Sequence, residues 1–138
     1  MPAPPATLSV FGPTRMAYGT AFDMQRELRQ KCEDAAGAEG YLMLIEHPPV
    51  ITIGRSGSRE DVLATKELLS SRGVTVVETN RGGEVTLHAP GQLVMYPIID
   101  LRPRGRDLHG YLRDLETWLV DICARFGLEA QTDEAGTG

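Results

Sequence analysis

The segment Arg81 to Tyr96, RGGEVTLHAPGQLVMY, concentrates the residues able to do chemistry. Arg81 brings a fixed positive charge and a fork of donors. Gly82 and Gly83 let backbone approach a ligand more closely than any side chain permits. Five residues later, His88 is a side chain that titrates near neutral pH. Pro90-Gly91 then turns the chain into a second apolar run, Leu93 to Tyr96. The expected product is a two-stranded unit with a donor-rich mouth, which is the composition of a binding site rather than of a core. Its candidate residues are Arg81, Gly82, Gly83, Glu84, Val85, Thr86, Leu87 and His88. The contacts expected of them are through backbone for the glycines and through a polar group for His88, with a plain turn and a structural histidine as the alternatives.

The flanking elements read in order. Leu8 to Phe11 suits a short first strand. Tyr18, Ala21, Gln25, Leu28 and Cys32 recur at helical spacing, predicting a helix over 15–36 that Gly37 ends. Tyr41 to Glu46 is an apolar run of strand length bounded by Pro48-Pro49, and Val50 to Ile53 follows as the next strand. A polar loop over 54–61 leads to a helix near Thr65 to Ser71, closed by Gly73. Val74 to Glu78 is rich in β-branched residues. Over 84–88, Val85 and Leu87 face one way and Glu84, Thr86 and His88 the other. The span 92–99 predicts a returning strand that Pro97 places at an edge or a bulge. Asp107 caps a last helix whose stripe is Leu108, Tyr111, Leu112, Leu115, Trp118, Leu119, Ile122 and Phe126. Gly127 stops it, and Leu128 to Gln131 reads as the start of one more strand. The fold class is α/β of the α+β type, a mostly antiparallel or mixed sheet with helices packed on it.

Bulk properties bound the function. The 138 residues suffice for one core, so the chain reads as a single domain over 1–138. A formal charge of −5 argues against non-specific nucleic-acid binding. No apolar run approaches membrane-spanning length, and Met1 to Pro5 has no basic region of a leader. Neither a nucleic-acid nor a membrane partner is expected. Cys32 and Cys123 lack zinc-type or redox spacing, so no metal is expected and a reducing cytoplasm is the natural setting.

Two long motifs carry a resemblance. Arg81, Gly82, Gly83, Thr86, His88, Gly91, Gln92 and Tyr96 fall in register with the signature of the lipoyl(octanoyl) transferases, of the biotin/lipoate ligase-like superfamily. Upstream, His47-Pro48-Pro49-Val50 with Thr52, Gly54 and Arg55 matches that family's HPPV-x-T-x-GR. Downstream, Tyr96-Pro97-Ile98 and Asp100-Leu101 match YPI-x-DL. Leu87 stands where an aromatic is usual, and Ala89 where glycine is usual. The resemblance runs from about Ala21 to the last residue.

The resemblance implies transfer of an octanoyl group from octanoyl-acyl carrier protein to a lysine of lipoyl domains, in 2-oxoacid dehydrogenase or glycine cleavage proteins, without a cofactor. It implies a nucleophilic cysteine in a PCG-like segment and a lysine in a KIAAIG-like one. Neither segment occurs here, so no catalytic residue is assigned in this chain, which is expected to be the N-terminal, acyl-cradling part of a catalytic domain. Cysteine attack on a thioester creates an oxyanion that fixed N–H donors stabilise. Burying an octanoyl tail supplies roughly 4–6 kcal/mol, at about 0.8 kcal/mol per methylene. Val85, Leu87, Leu93 and Met95, on paired strands, are the expected walls. Leu87 removes a flat wall and bears on chain-length preference.

Blander readings stand beside these. The glycine pair would also serve as a plain turn, His88 as a structural histidine, and Arg81 as the partner of Glu78 or Glu84. His47 reads as shaping a turn or lining the cleft, and Arg55 as solvated. Cys32 and Cys123 read as small core hydrophobes. Arg102, Arg104 and Arg106 read as a solvated loop, with a carrier-protein docking patch as the rival. Three functions follow: part of an octanoyltransferase, a non-catalytic acyl- or carrier-binding module, and a lipoate or biotin ligase relative. The chain alone is expected to be inactive and marginally stable, its last strand leaving an open edge.

Overall fold

The computed structural model describes residues 7–133, so the readings on Met1 to Pro5 and on the last five residues lie outside it. The chain forms two compact units, one over 5–100 and one that includes 101–138.

In the first unit, β1 (Thr7–Arg15), α1 (Tyr18–Asp34) and β2 (Glu39–Glu46) make a strand–helix–strand crossover, so β1 and β2 pair in parallel. Ala21 and Leu28 of α1 bury against Met43 and Ile45 of β2, with Met16, Met24, Tyr41, Tyr96 and Ile98 packed around them. Helical spacing of 21, 24 and 28 meeting strand spacing of 41, 43 and 45 is what builds this core. Cys32 is buried beneath it, its thiol 3.1 Å from the Glu39 carbonyl. A second crossover follows: β3 (Val50–Ile53), α2 (Lys66–Ser71) and β4 (Thr75–Glu78), with β3 and β4 parallel. Thr65 caps α2 by accepting from the Leu68 amide at 3.2 Å. A 3-10 turn at Arg59–Asp61 precedes it, in the stretch read as plain loop.

The expected two-stranded unit does not form. β5 (Val85–His88) pairs antiparallel with β3, whereas β6 (Leu93–Ile98) pairs antiparallel with β2. The result is two three-stranded mixed sheets, ordered β1-β2-β6 and β4-β3-β5. The reason lies in Pro48-Pro49, between β2 and β3. Two successive residues without an N–H interrupt the ladder there. Opposite, the Pro90-Gly91 turn, closed by Gln92 N to Ala89 O at 3.1 Å, carries the chain from one sheet to the other. Glu46 faces Leu93 on one side of the break and Val50 faces His88 on the other. Val85 and Leu87 therefore share no ladder with Leu93 and Met95, and a wall made of those four on paired strands is corrected. Pro97 does lie on a strand at the edge of its sheet.

The second unit holds a 3-10 turn at Arg102–Arg104 and α3 (Leu108–Arg125), capped by Asp107, which accepts from the Gly110 amide at 2.8 Å. The stripe on α3 is present, but none of its residues is fully buried, and Phe126 stays 78% exposed. Residues 128–133 form no strand, because they join no ladder. No helix among the described residues is long and apolar enough to cross a membrane.

Candidate functional site

The two sequence motifs interlock in the first unit. Arg81 pairs with neither Glu78 nor Glu84 by its charge. Its Nε donates to Thr52 Oγ1 at 3.0 Å and its Nη2 to the Thr52 carbonyl at 2.9 Å. Nη1 reaches the Gly82 carbonyl at 2.8 Å and Nη2 the Glu84 carbonyl at 3.1 Å. Thr52 is fully buried, so the guanidinium supplies donors that a buried hydroxyl and carbonyl require. Glu78 instead bonds Arg59 at 3.3 Å.

Backbone completes the clasp. Gly54 N donates to Glu84 O at 2.6 Å, Arg55 N to Arg81 O at 3.0 Å and Ser56 N to Gly83 O at 3.1 Å. All four carbonyls from Arg81 to Glu84 are thus turned inward onto the β3 exit loop or the guanidinium. The N–H groups of Gly82, Gly83 and Glu84 donate to no acceptor among the described residues. A run of peptide units with carbonyls tied behind presents its amides in front. Such a row of fixed dipoles stabilises negative charge.

Gly83 adopts φ +83°, a backbone that other residues resist. Gly82 is different. Its φ lies outside the left-handed region, and a Cβ built there meets no atom within 4 Å. The fold itself does not require glycine at Gly82.

Beside this loop four rings gather from four elements. His47 follows β2, His88 ends β5, Tyr96 lies on β6 and Tyr18 begins α1. His47 is fully buried and packs at ring-centroid distances of 5.4 Å from Tyr18, 5.6 Å from His88 and 5.9 Å from Tyr96. Tyr18 stacks on His88 at 6.3 Å with the planes 14° apart. Burial raises the Tyr18 phenol, while the Arg81 charge and the Thr79 hydroxyl pull it back. Burial, with Tyr18 second, pushes Tyr96 up to about 12, so both phenols stay protonated hydrogen-bonding groups. His88 Nδ1 lies 2.5 Å from Gln92 Oε1, which only accepts, so Nδ1 carries a hydrogen and Nε2 is the position that bears the lone pair whenever the ring is neutral.

Burial holds the His47 imidazole below its ordinary value, with the Met16 carbonyl opposing and the nearby His88 reinforcing. The unfolded chain therefore binds the extra proton more readily than the folded one. The stability tied to a neutral His47 is fully present above about pH 6.5 and is lost as pH falls through its lower folded value. Urea unfolding midpoints should fall between pH 7 and pH 5, and His47→Gln should flatten that fall. An equal fall in the variant would contradict the assignment.

Of the residues expected at the site, Arg81 to Glu84 form the loop, Thr86 and His88 share the face of β5 that carries Thr52 and Val50 on β3, and Val85 and Leu87 lie on the opposite face. Leu87 is 55% exposed. Tyr18 is not among the residues expected at the site, and His47 is expected there only as shaping a turn or lining the cleft. The only signal for Tyr18 was its place at a helix start, and that for His47 was a motif whose prolines point to a turn. Arg55 lines a groove of about 510 Å³ with Tyr18, Phe22, Val77, Thr79 and Asn80. Among the described residues, no three His, Cys, Asp or Glu side chains are grouped so as to hold a metal ion.

Comparison with known proteins gives a consistent picture. The family model for the lipoyl protein ligase A/B catalytic domain matches residues 17–137. A Geobacter metallireducens protein named octanoyltransferase is 57% identical over 124 residues, 90% of this chain and 54% of that one. One from Solibacter usitatus is 44% identical over 84% of this chain and 52% of its own length. One from Chloroflexus aggregans is 43% identical over 96% and 59%. The chain thus spans a little over half the length of the curated relatives it matches. Two solved structures of a T. acidophilum protein, described as a candidate lipoate protein ligase, share the fold at TM-score 0.62. Identities are 16% and 14%, with 92% and 94% of this chain covered and 50% and 53% of theirs. The second of them holds lipoic acid.

Proposed function

The chain belongs to the lipoyl protein ligase A/B catalytic-domain family, and from that premise we propose that it is the acyl-cradling part of an octanoyltransferase. The substrates are octanoyl-acyl carrier protein as donor and a lysine of lipoyl domains as acceptor, in the cytoplasm. Relatives named octanoyltransferase at 43–57% identity support the reaction class. The observation that carries the site is the row of outward amides at Gly82, Gly83 and Glu84, whose carbonyls are all tied inward.

The chemistry follows from those groups. A cysteine thiolate, supplied outside these residues, adds to the thioester carbonyl, and the carbonyl oxygen gains negative charge. The loop amides stabilise that oxygen where the charge develops. Collapse expels the carrier as its thiolate and leaves the octanoyl group on cysteine. The acceptor amine then adds, loses a proton and displaces the cysteine thiolate. His88 Nε2, the acceptor position of the neutral ring and held beside the loop by Tyr18, is placed to accept that proton. The groove bordered by Tyr18, Phe22 and Arg55 gives an open approach beside the same ring.

The test is intact-mass analysis with octanoyl-acyl carrier protein. The full protein carrying this chain should gain one octanoyl group on cysteine and pass it to a lipoyl-domain lysine. The 138 residues alone should gain none. A stable octanoyl adduct on Cys32 or Cys123 would show that the chemistry has been misplaced.

A further inference from the structure

His47 occupies a position the proposed reaction does not use. It lies in the connection between the two sheets, fully buried, yet it is polar. Its two nitrogens are spoken for in a definite sense. Nδ1 is 2.7 Å from the carbonyl oxygen of Met16, and a carbonyl only accepts, so Nδ1 carries the hydrogen. Nε2 is 2.8 Å from the Tyr96 hydroxyl. In a neutral ring Nε2 is then bare, and Tyr96 must donate to it. The Met16 amide donates to Glu46 O at 3.0 Å, next to His47 in the chain, so the same two segments are also joined through backbone.

The ring so held is wedged against His88 at 5.6 Å, and His88 is closed on another side by the Tyr18 stack. The titratable groups facing His47 are Tyr18 from α1, His88 from β5 and Tyr96 from β6, and the Arg81 charge acts on Tyr18. Two adjacent imidazoles in such a place do not readily both become cations. One of them must be the proton acceptor and the other must abstain.

We infer that His47 is a positioning residue for the transfer site: locked by Met16 and Tyr96 as a neutral, Nδ1-protonated ring, it holds His88 against Tyr18 and leaves His88 Nε2 as the acceptor of the proton. Were His47 protonated, both of its nitrogens would be donors, and the Tyr96 hydroxyl would lose its acceptor inside the protein. Tyr96 therefore matters to the site through His47. The inference rests on the octanoyltransferase reading for its function, but its structural core is checked without any turnover.

The experiment is ring-nitrogen NMR of the full protein, following both imidazoles through acid titration. In the unaltered protein His47 should show the Nδ1–H tautomer and keep it while His88 takes up its proton. In Tyr96→Phe, His47 should keep the Nδ1–H that the Met16 carbonyl holds but, with no hydroxyl donating to Nε2, take up its proton at higher pH than in the unaltered protein. Adding His47→Gln to Tyr96→Phe should return His88 to a simple titration. With octanoyl-acyl carrier protein, Tyr96→Phe should lower kcat about 10-fold with KM within about twofold. A His47 that titrates before His88 in the unaltered protein would overturn the inference, as would unchanged imidazoles in Tyr96→Phe. Loss of octanoyl transfer in the unaltered protein, with the expected tautomers present, would instead refute the octanoyltransferase reading.

Discussion

Replacing Gly54 by alanine is expected to destabilise the chain by about 3 kcal/mol or more. Gly54 is the glycine of the upstream motif, and its importance is one of contact between backbones. A Cβ there would drive into the Gly83 carbonyl oxygen, with the Gly83 carbonyl carbon at 2.9 Å and the Arg81 Nη1 at 3.0 Å. Backbone cannot rotate away as a flexible side chain would. The three amide bonds from Gly54, Arg55 and Ser56 to the Arg81–Glu84 loop would have to lengthen together. Arg81 would then leave Thr52 without the donors that satisfy it in a buried position. Urea unfolding of the variant measures the cost. A loss below about 0.5 kcal/mol, the usual size for an inconsequential surface change, would mean the two motifs do not clasp as described.

Gly82→Ala is expected to do the opposite: keep the fold and abolish most of the function. Space for the methyl is open, and the backbone lies outside the left-handed region. Alanine reduces the freedom of the unfolded chain, so stability should stay level or rise by up to about 1 kcal/mol. In the full protein, however, the methyl would stand before the outward amides, where the acyl carbonyl must seat. A displacement of about 1 Å in a reacting group costs on the order of 100-fold, and that is the expected fall in kcat/KM. Gly83→Ala is no substitute for this test, since φ +83° at Gly83 makes any loss there partly one of strain. Normal transfer by a folded Gly82→Ala enzyme would move the reacting carbonyl away from this loop.

Much of the architecture was legible because it is local. The helical recurrence through Ala21, Leu28 and Cys32 and the β-branched run at Thr75–Glu78 name their own elements. The Thr65 and Asp107 caps are where short polar residues precede helical spacing. Pairing was not legible, because it is decided at a distance. A tight Pro-Gly turn between two apolar runs reads as a hairpin, yet each run found its partner across the Pro48-Pro49 break instead. The site divides in the same way. The glycine loop and His88 were visible as residues, whereas the role of Arg81 depends on Thr52, 29 positions away. Likewise His47 reads locally as a turn, and only Met16 and Tyr96, 31 and 49 positions distant, make it a buried hinge of the site.

The central claim is that the amides following Arg81 receive the oxygen of the reacting carbonyl. A crystal structure of the full enzyme with its octanoyl group attached tests this most directly. The carbonyl oxygen should lie within roughly 2.7–3.1 Å of at least one amide nitrogen among Gly82, Gly83 and Glu84, with His88 Nε2 facing the same centre. An acyl group whose carbonyl rests against other donors, with those three amides turned to bulk water, would contradict the account.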